Sequence, residues 1–244
     1  MLDQPPVSDR LFEQLAEAIV AGELPAGAKI SEPDLAARFG TSRAPLREAI
    51  RRLEERKLVS RIAHQGARVA VLSPGRIAEI YTVREALEGI AAREAASRIT
   101  AADIARLRQH LARHEALLDG VDGEDYQQGV ADDDFHFVII RASGNATLID
   151  LLLDQYYALI RMFRLQHRQV AGRARRALIE HGRITDALAE GDGELAEMLM
   201  RRHIAAARAG IAAAIAGKVD DGHPAEPAPR MRSIQFRTTT RTEE

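Results

Sequence analysis

The sequence predicts a mainly α chain in two parts: a small N-terminal head that closes in a β-hairpin, and an all-α antiparallel bundle of six helices. Three observations predict it. Apolar residues recur at helical spacing through most of the 244 residues, and the alternating pattern of strands shows only between Leu58 and Leu72. The composition is 46% hydrophobic but only 4% aromatic, with no Trp and abundant Ala, Leu and Arg, a mixture that suits packed helices. Short breaks carrying Gly, Asn, Asp or Pro separate the later segments, as expected between antiparallel neighbours.

Composition also excludes functions. Cysteine is absent, so there is no disulfide framework and no thiolate metal site; any metal must be held by imidazole and carboxylate. Met1 to Pro6 has neither the basic region nor the apolar core of a signal peptide. Apolar runs are broken by charge within about ten residues, too short to span a bilayer. A soluble, cytoplasmic protein with no membrane partner is expected. The net charge of −2 hides an asymmetry. Arg38 to Arg68 carries nine basic residues (38, 43, 47, 51, 52, 56, 57, 61 and 68) against Glu48, Glu54 and Glu55, whereas Asp119 to Asp134 carries seven acids and no base. The first block suits a polyanion and the second attracts a cation.

In the head, over 8–72, Ser8 or Asp9 is expected to cap a helix with apolar positions Leu11, Leu15, Ala18 and Ile19 that ends near Gly22. Leu24-Pro25-Ala26-Gly27 is turn chemistry. Ser31 caps a second helix, with Asp34 three residues on and Pro33 tolerated in the first turn, and Gly40 stops it. Thr41 or Ser42 caps a third helix whose core side is Leu46, Ala49, Ile50 and Leu53. Its other side carries Arg43, Arg47 and Arg51, each four apart. Two strands follow, Leu58–Ile62 and Ala67–Leu72, joined through Ala63-His64-Gln65-Gly66. Helix, tight turn, arginine-bearing helix and hairpin, in that order, make a winged helix-turn-helix. Double-stranded DNA is the expected partner. The arginines reach guanine edges or phosphates in the major groove, Thr41 and Ser42 sit where helix N–H groups favour phosphate, and the wing tip with Gly66 enters the minor groove.

The run Leu24-Pro25-Ala26-Gly27, Glu32-Pro33-Asp34-Leu35-Ala36, Ser42-Arg43-Ala44-Pro45-Leu46-Arg47-Glu48-Ala49-Ile50-Arg51-Arg52-Leu53-Glu54 and Leu58-Val59 resembles the GntR family of bacterial transcription regulators. The resemblance implies DNA contacts from Ser42, Arg43 and Arg47, and from the wing tip at His64, Gln65 and Gly66. It has one departure: Pro33 stands where some members carry a DNA-contacting arginine early in the second helix.

Leu72-Ser73-Pro74-Gly75 reads as a linker or cap. Six helices are then expected, near 75–98, 101–118, 124–142, 146–168, 170–190 and 192–216. Ser73 caps the first and Thr100 the second, with Asp103 completing a capping box. Breaks fall at Ser143-Gly144-Asn145 and at Glu190-Gly191-Asp192. Asp132 and His136 are four apart on one helical face. His181 and His203 lie on the last two helices, each about ten residues from the turn at Gly191-Asp192, so antiparallel packing sets them opposite one another. Three imidazoles and a carboxylate suit zinc, nickel, manganese or iron. His110 and His114 are also four apart, but no third ligand follows at matching spacing, and they are expected along an exposed edge.

Asp132-x-x-Phe135-His136, Ala142-Ser143-Gly144-Asn145, Glu180-His181, Ile184, Ala187, Gly191-Asp192, Ala196 and His203 resemble the FCD effector domain of the FadR subgroup. Six helices and a short linker suggest its VanR-like branch. The resemblance covers about residues 8 to 216. It implies a divalent metal, zinc first, held by Asp132, His136, His181 and His203. It also implies a small organic acid with an oxygen on the metal and basic or polar groups around it, for which Arg84, Asn145, Arg161 and Arg164 are the candidates. Residues 75–217 form this domain, and 218–244, rich in Pro, Thr and charge, are expected as a disordered tail.

The function expected is a homodimeric repressor that a small carboxylate releases from its operator; the dimer follows from the family and from palindromic reading by such heads. The alternative is a metal-dependent hydrolase or lyase with a DNA-binding head. Asp133 or Asp134 could be proposed as its acid or base, but the sequence has no dedicated nucleophile motif. A third reading, an architectural DNA binder whose bundle only dimerises, expects no bound metal.

Overall fold

The computed structural model describes residues 5–63, 66–120, 128–166 and 173–220; the side chains of 119–120, 128–134, 163–166 and 214–220 fall outside that description. His64, Gln65 and the tail after 220 lie outside the described residues, and so do the side chains of Asp132 and Arg164.

The head is α1 (Val7–Val20), β1 (Lys29–Ile30), α2 (Glu32–Phe39), α3 (Arg43–Glu55), β2 (Val59–Ile62) and β3 (Gly66–Val69). Leu11, Leu15 and Ile19 of α1, Leu35 of α2 and Leu46, Ile50 and Leu53 of α3 close one core, each at helical spacing. Helix α1 begins two or three residues earlier than expected: Pro6 is its N-cap, and neither Ser8 nor Asp9 caps it. Ser31 does cap α2, accepting from the Asp34 N–H at 3.4 Å. Gly40, at φ +57°, adopts the left-handed turn that ends α2 and lets α3 start at once. The wing is antiparallel, pairing Ile62 with Gly66 and Val59 with Val69. A third strand was not expected: β1 pairs with β3, in the order β1-β3-β2, and is too short to show a period.

The body is α4 (Pro74–Ala96), α5 (Ala101–Gly120), α6 (Gln128–Ala142), α7 (Ala146–Ile149) continued by a π-helical stretch (Asp150–Tyr156) into α8 (Tyr157–Gln166), α9 (Arg173–Ala189) and α10 (Gly193–Asp220). These are the six expected rods, with the last running on to Asp220. Ser73 caps α4, and Thr100 with Asp103 forms a reciprocal capping box. Helix α10 packs along α4 and α9, while α5 and α6 close the other side. Their core includes Ile77, Tyr81, Ala92, Phe135, Ile139, Ile184, Met200 and Ile204.

The fourth rod joins body to head. Leu148, Leu152 and Tyr157 pack with Ala91 and Ile140 of the body, whereas Leu159, Ile160 and Met162 enter the core of the head. The π-helical stretch Asp150–Tyr156 lies in the first part of this rod, before Tyr157. Arg161 forms an ion pair with Glu17 of α1 at 3.4 Å, and Arg56, the C-cap residue of α3, reaches Asp154 at 3.6 Å.

Candidate metal centre and nucleic-acid interface

Three histidines from three helices meet inside the body. Phe135 and His136 are neighbours on α6, and Phe135 stacks on the His181 ring of α9, centroids 3.9 Å apart and 12° between planes. His203 of α10 lies across the turn, its Nε2 3.2 Å from the Nε2 of His181. His136, His181 and His203 are all buried, and one ring nitrogen from each lies within 4.8 Å of the others.

Two carboxylates stand behind the cluster. His136 Nδ1–H donates to Glu88 Oε2 at 2.5 Å, and His203 Nδ1–H donates to Glu180 Oε2 at 2.7 Å. Each bond fixes a tautomer whose lone pair is on Nε2, the atom directed at the other imidazoles; carboxylate–histidine pairs of this kind orient metal ligands. Glu88 also accepts from Arg84 Nε within α4, and both side chains are 1% exposed. Arg173 donates to Glu180 at 2.7 Å and to the His203 carbonyl at 3.2 Å. Its Nη2 also stands 3.2 Å from His203 Nδ1, and the shorter carboxylate contact decides that this nitrogen carries the proton.

The electrostatics follow. Burial works against charge on Glu88, but Arg84 and then His136 outweigh it and hold the carboxyl well below the usual range. Burial pushes His136 down to about 4, against the pull of Glu88, so the ring is neutral near pH 7. Glu180 is similarly opposed by burial, but His203 and Arg173 hold it low. Among the described residues, His136 Nε2, Arg84 Nη1 and Nη2 and Tyr81 OH are buried with no hydrogen-bond partner. Orphaned buried donors and acceptors are costly unless something completes them. A neutral imidazole lone pair among two others is the donor set a divalent ion takes, so these residues fit a metal.

The other expected site residues divide. Asp132 sits on α6 one turn before His136, on the same helix face. Arg84 is at the cluster, through Glu88. Asn145 is not: its side chain caps α7, accepting from the Leu148 N–H at 3.2 Å and donating to Glu94. Arg161 is not either, because α8 turns it to Glu17 of the head. His114 corrects the expected exposed edge. It is 2% exposed, with its ring 6.5 Å from that of His181. Leu107 is buried on the same face two turns earlier, a spacing that already placed His114 inward. Glu88, Glu180, Arg173 and Tyr81 were missed.

On the head, Ser42 is the N-cap residue of α3 but makes no side-chain cap bond, and its side chain is exposed with that of Arg43. Arg47 Nε donates to Glu32 of α2 at 2.8 Å. Arg51 is gripped by Glu48 and Glu55 of its own helix. Gly66 has φ +82°, the left-handed turn that closes the wing.

Residues 7–69 match the model of bacterial regulatory proteins of the gntR family, and residues 79–206 match the FCD domain. The chain belongs to the GntR family of transcription regulators, with an FCD domain. This GntR protein is 31% identical over 201 residues to the probable D-xylose utilization operon transcriptional repressor of Paenarthrobacter nicotinovorans, covering 82% of this chain and 86% of that one. It is 27% identical over 199 residues to the HTH-type transcriptional repressor RspR of Escherichia coli (strain K12), with the same coverages. Among solved structures it resembles a putative GntR transcriptional regulator from Rhodococcus sp. RHA1, with a TM-score of 0.68, 26% identity and coverage of 84% and 96% of the two chains. It shares its fold with E. coli McbR/YncC, with a TM-score of 0.70, 21% identity and coverage of 85% and 98%. GntR regulators bind operator DNA, and they are not enzymes, which sets the hydrolase or lyase aside. No helix among the described residues is long and apolar enough to cross a membrane.

Proposed function

We propose that this GntR protein is a cytoplasmic, homodimeric repressor whose operator affinity is set by a small carboxylate bound at the histidine cluster. The observation that carries this reading is the convergence of three buried imidazoles, two backed by carboxylates, next to a buried guanidinium with two unpartnered amino groups. A divalent cation on His136, His181 and His203, with Asp132 as fourth ligand, would supply a Lewis-acid anchor for a carboxylate oxygen; zinc is preferred, with nickel, manganese or iron as alternatives. Glu88 and Glu180 orient the rings, and Arg84 and Tyr81 present N–H and O–H groups to the rest of the acid. Arg84 is the one expected effector residue kept in that role; the six rods fit the VanR-like branch of the FadR subgroup.

At the head, Thr41 and Ser42 take phosphate, Arg43, Arg47 and Arg51 face the major groove, and the wing tip at His64 to Gly66 reaches the minor groove. Coupling between the two sites has a packed route. Phe137, beside His136, lies against Tyr157 with ring centroids 4.2 Å apart, and the rod beyond Tyr157 enters the core of the head. A shift of α6 on ligand binding therefore bears on the head through one continuous helix. The repressor names of the two relatives support the sign of the response.

A thermal-shift screen of small carboxylates, run with and without chelator, tests the reading. Purified protein should hold stoichiometric metal, and an acid at a hundred times its Kd should add about 2.7 kcal/mol of stability, a rise of roughly 5–10 °C, that chelation removes. A shift that survives complete metal removal places the acid elsewhere. Protein without metal that cannot be loaded leaves the architectural reading standing.

A further inference from the structure

We propose that Glu32 is a positioning residue for base reading by Arg47. The inference rests on the reading of Arg47 as a groove-facing arginine. The arginines of α3 are not held alike. Arg51 is bound by acids one turn either side on its own helix, a pairing that any amphipathic helix makes. Arg47 is tied across elements, 15 residues back, to the first turn of α2. That carboxylate is itself well placed. Ser31 caps α2 immediately before Glu32, Pro33 stiffens the first turn, and the helix N-terminus favours a negative charge there.

The atom used matters. Glu32 takes Arg47 Nε and leaves both terminal amino groups, the pair that reaches guanine O6 and N7 side by side. Arg47 keeps 63% of its side-chain surface exposed and Glu32 keeps 25%, so the pair adds little to stability. An acid beside a phosphate-binding surface also opposes DNA electrostatically. Glu32 therefore works against general affinity and in favour of one Arg47 geometry, the mark of a residue kept for discrimination.

The test uses the full chain as wild type, Glu32→Ala, Glu32→Gln and Arg47→Ala. Each is put through selection on a random duplex library and titrated on a fixed duplex lacking the selected motif, with thermal unfolding as a control. Arg47→Ala should lose its preference at one position of each half-site, by roughly 5- to 150-fold. Glu32→Ala should weaken the preference at that same position by about fivefold while binding the unselected duplex about twofold tighter. Glu32→Gln, which keeps an acceptor but not the charge, should bind the unselected duplex as Glu32→Ala does and retain more of the preference. Unchanged preference in Glu32→Ala overturns the proposal. So does a change at a different base position, which would make Glu32 a direct reader. Full preference in Arg47→Ala overturns both this proposal and the reading of Arg47 beneath it.

Discussion

Replacing His136 by alanine is expected to strip the body of metal and of its response to carboxylates while leaving DNA binding measurable. His136 is the proposed ligand from α6, and its Nε2 is buried with no hydrogen-bond partner among the described residues. Losing a residue that only orients a ligand typically weakens metal binding 10–100-fold, so losing the ligand itself should exceed about 100-fold. The substitution also leaves Glu88 without its imidazole N–H, which adds a destabilisation of about 1–3 kcal/mol within the body. The head keeps its own core of Leu15, Leu46, Ile50 and Leu53, so operator binding should persist. Metal content after dialysis and the thermal response to a binding carboxylate are the readouts. Retention of stoichiometric metal would falsify the assignment of His136. Protein that does not fold until metal is restored would show the centre to be structural rather than sensory.

Replacing Glu88 by alanine is expected to destabilise the protein more than any single surface change. Glu88 is 1% exposed and pairs at once with Arg84 and His136. Its removal leaves the Arg84 guanidinium buried without its counter-charge, a defect of about 3–5 kcal/mol, or roughly 6–20 °C in Tm for a chain of this length. Replacing both members, Arg84→Met with Glu88→Leu, should recover most of that loss, because a well-packed apolar pair can match a buried ion pair. Thermal and urea unfolding of the three variants separates the cases. If Glu88→Ala falls within about 1 kcal/mol of wild type, another group neutralises Arg84, and the account of this pair is wrong.

The three histidines were legible because their spacing and the short turn at Gly191-Asp192 already set His181 against His203. Their supporting carboxylates were not, although traces of them stand in the sequence. Ile77, Tyr81, Arg84, Glu88, Ala91 and Ala95 are all buried on α4 at alternating steps of four and three. An Arg and a Glu on that core stripe are the sign of a buried, functional pair. Glu180 is adjacent to His181 in the sequence, but its pairing with His203 needs the packing of α9 on α10. Asn145 and Arg161 were assigned by chemistry without a face: the first is spent on a cap, and the second pairs with Glu17 of the head. A π turn leaves no period to read, and β1, two residues long, leaves none either. In the head, helical spacing, Gly40 and the arginine stripe were enough to place every helix, whereas the tie from Arg47 to Glu32 needed the packing of α2 on α3.

The central claim is that a carboxylate held at the histidine cluster weakens the grip on DNA, and an operator titration tests it most directly. Operator binding is measured on metal-loaded, chelator-treated and reloaded protein, each with and without a carboxylate found to bind. The account predicts a loss of operator affinity of roughly 5–150-fold that appears only in the loaded and reloaded samples, and an equal loss of carboxylate affinity when operator is present. A carboxylate that binds tightly at the cluster yet leaves operator affinity unchanged in the loaded protein would contradict it.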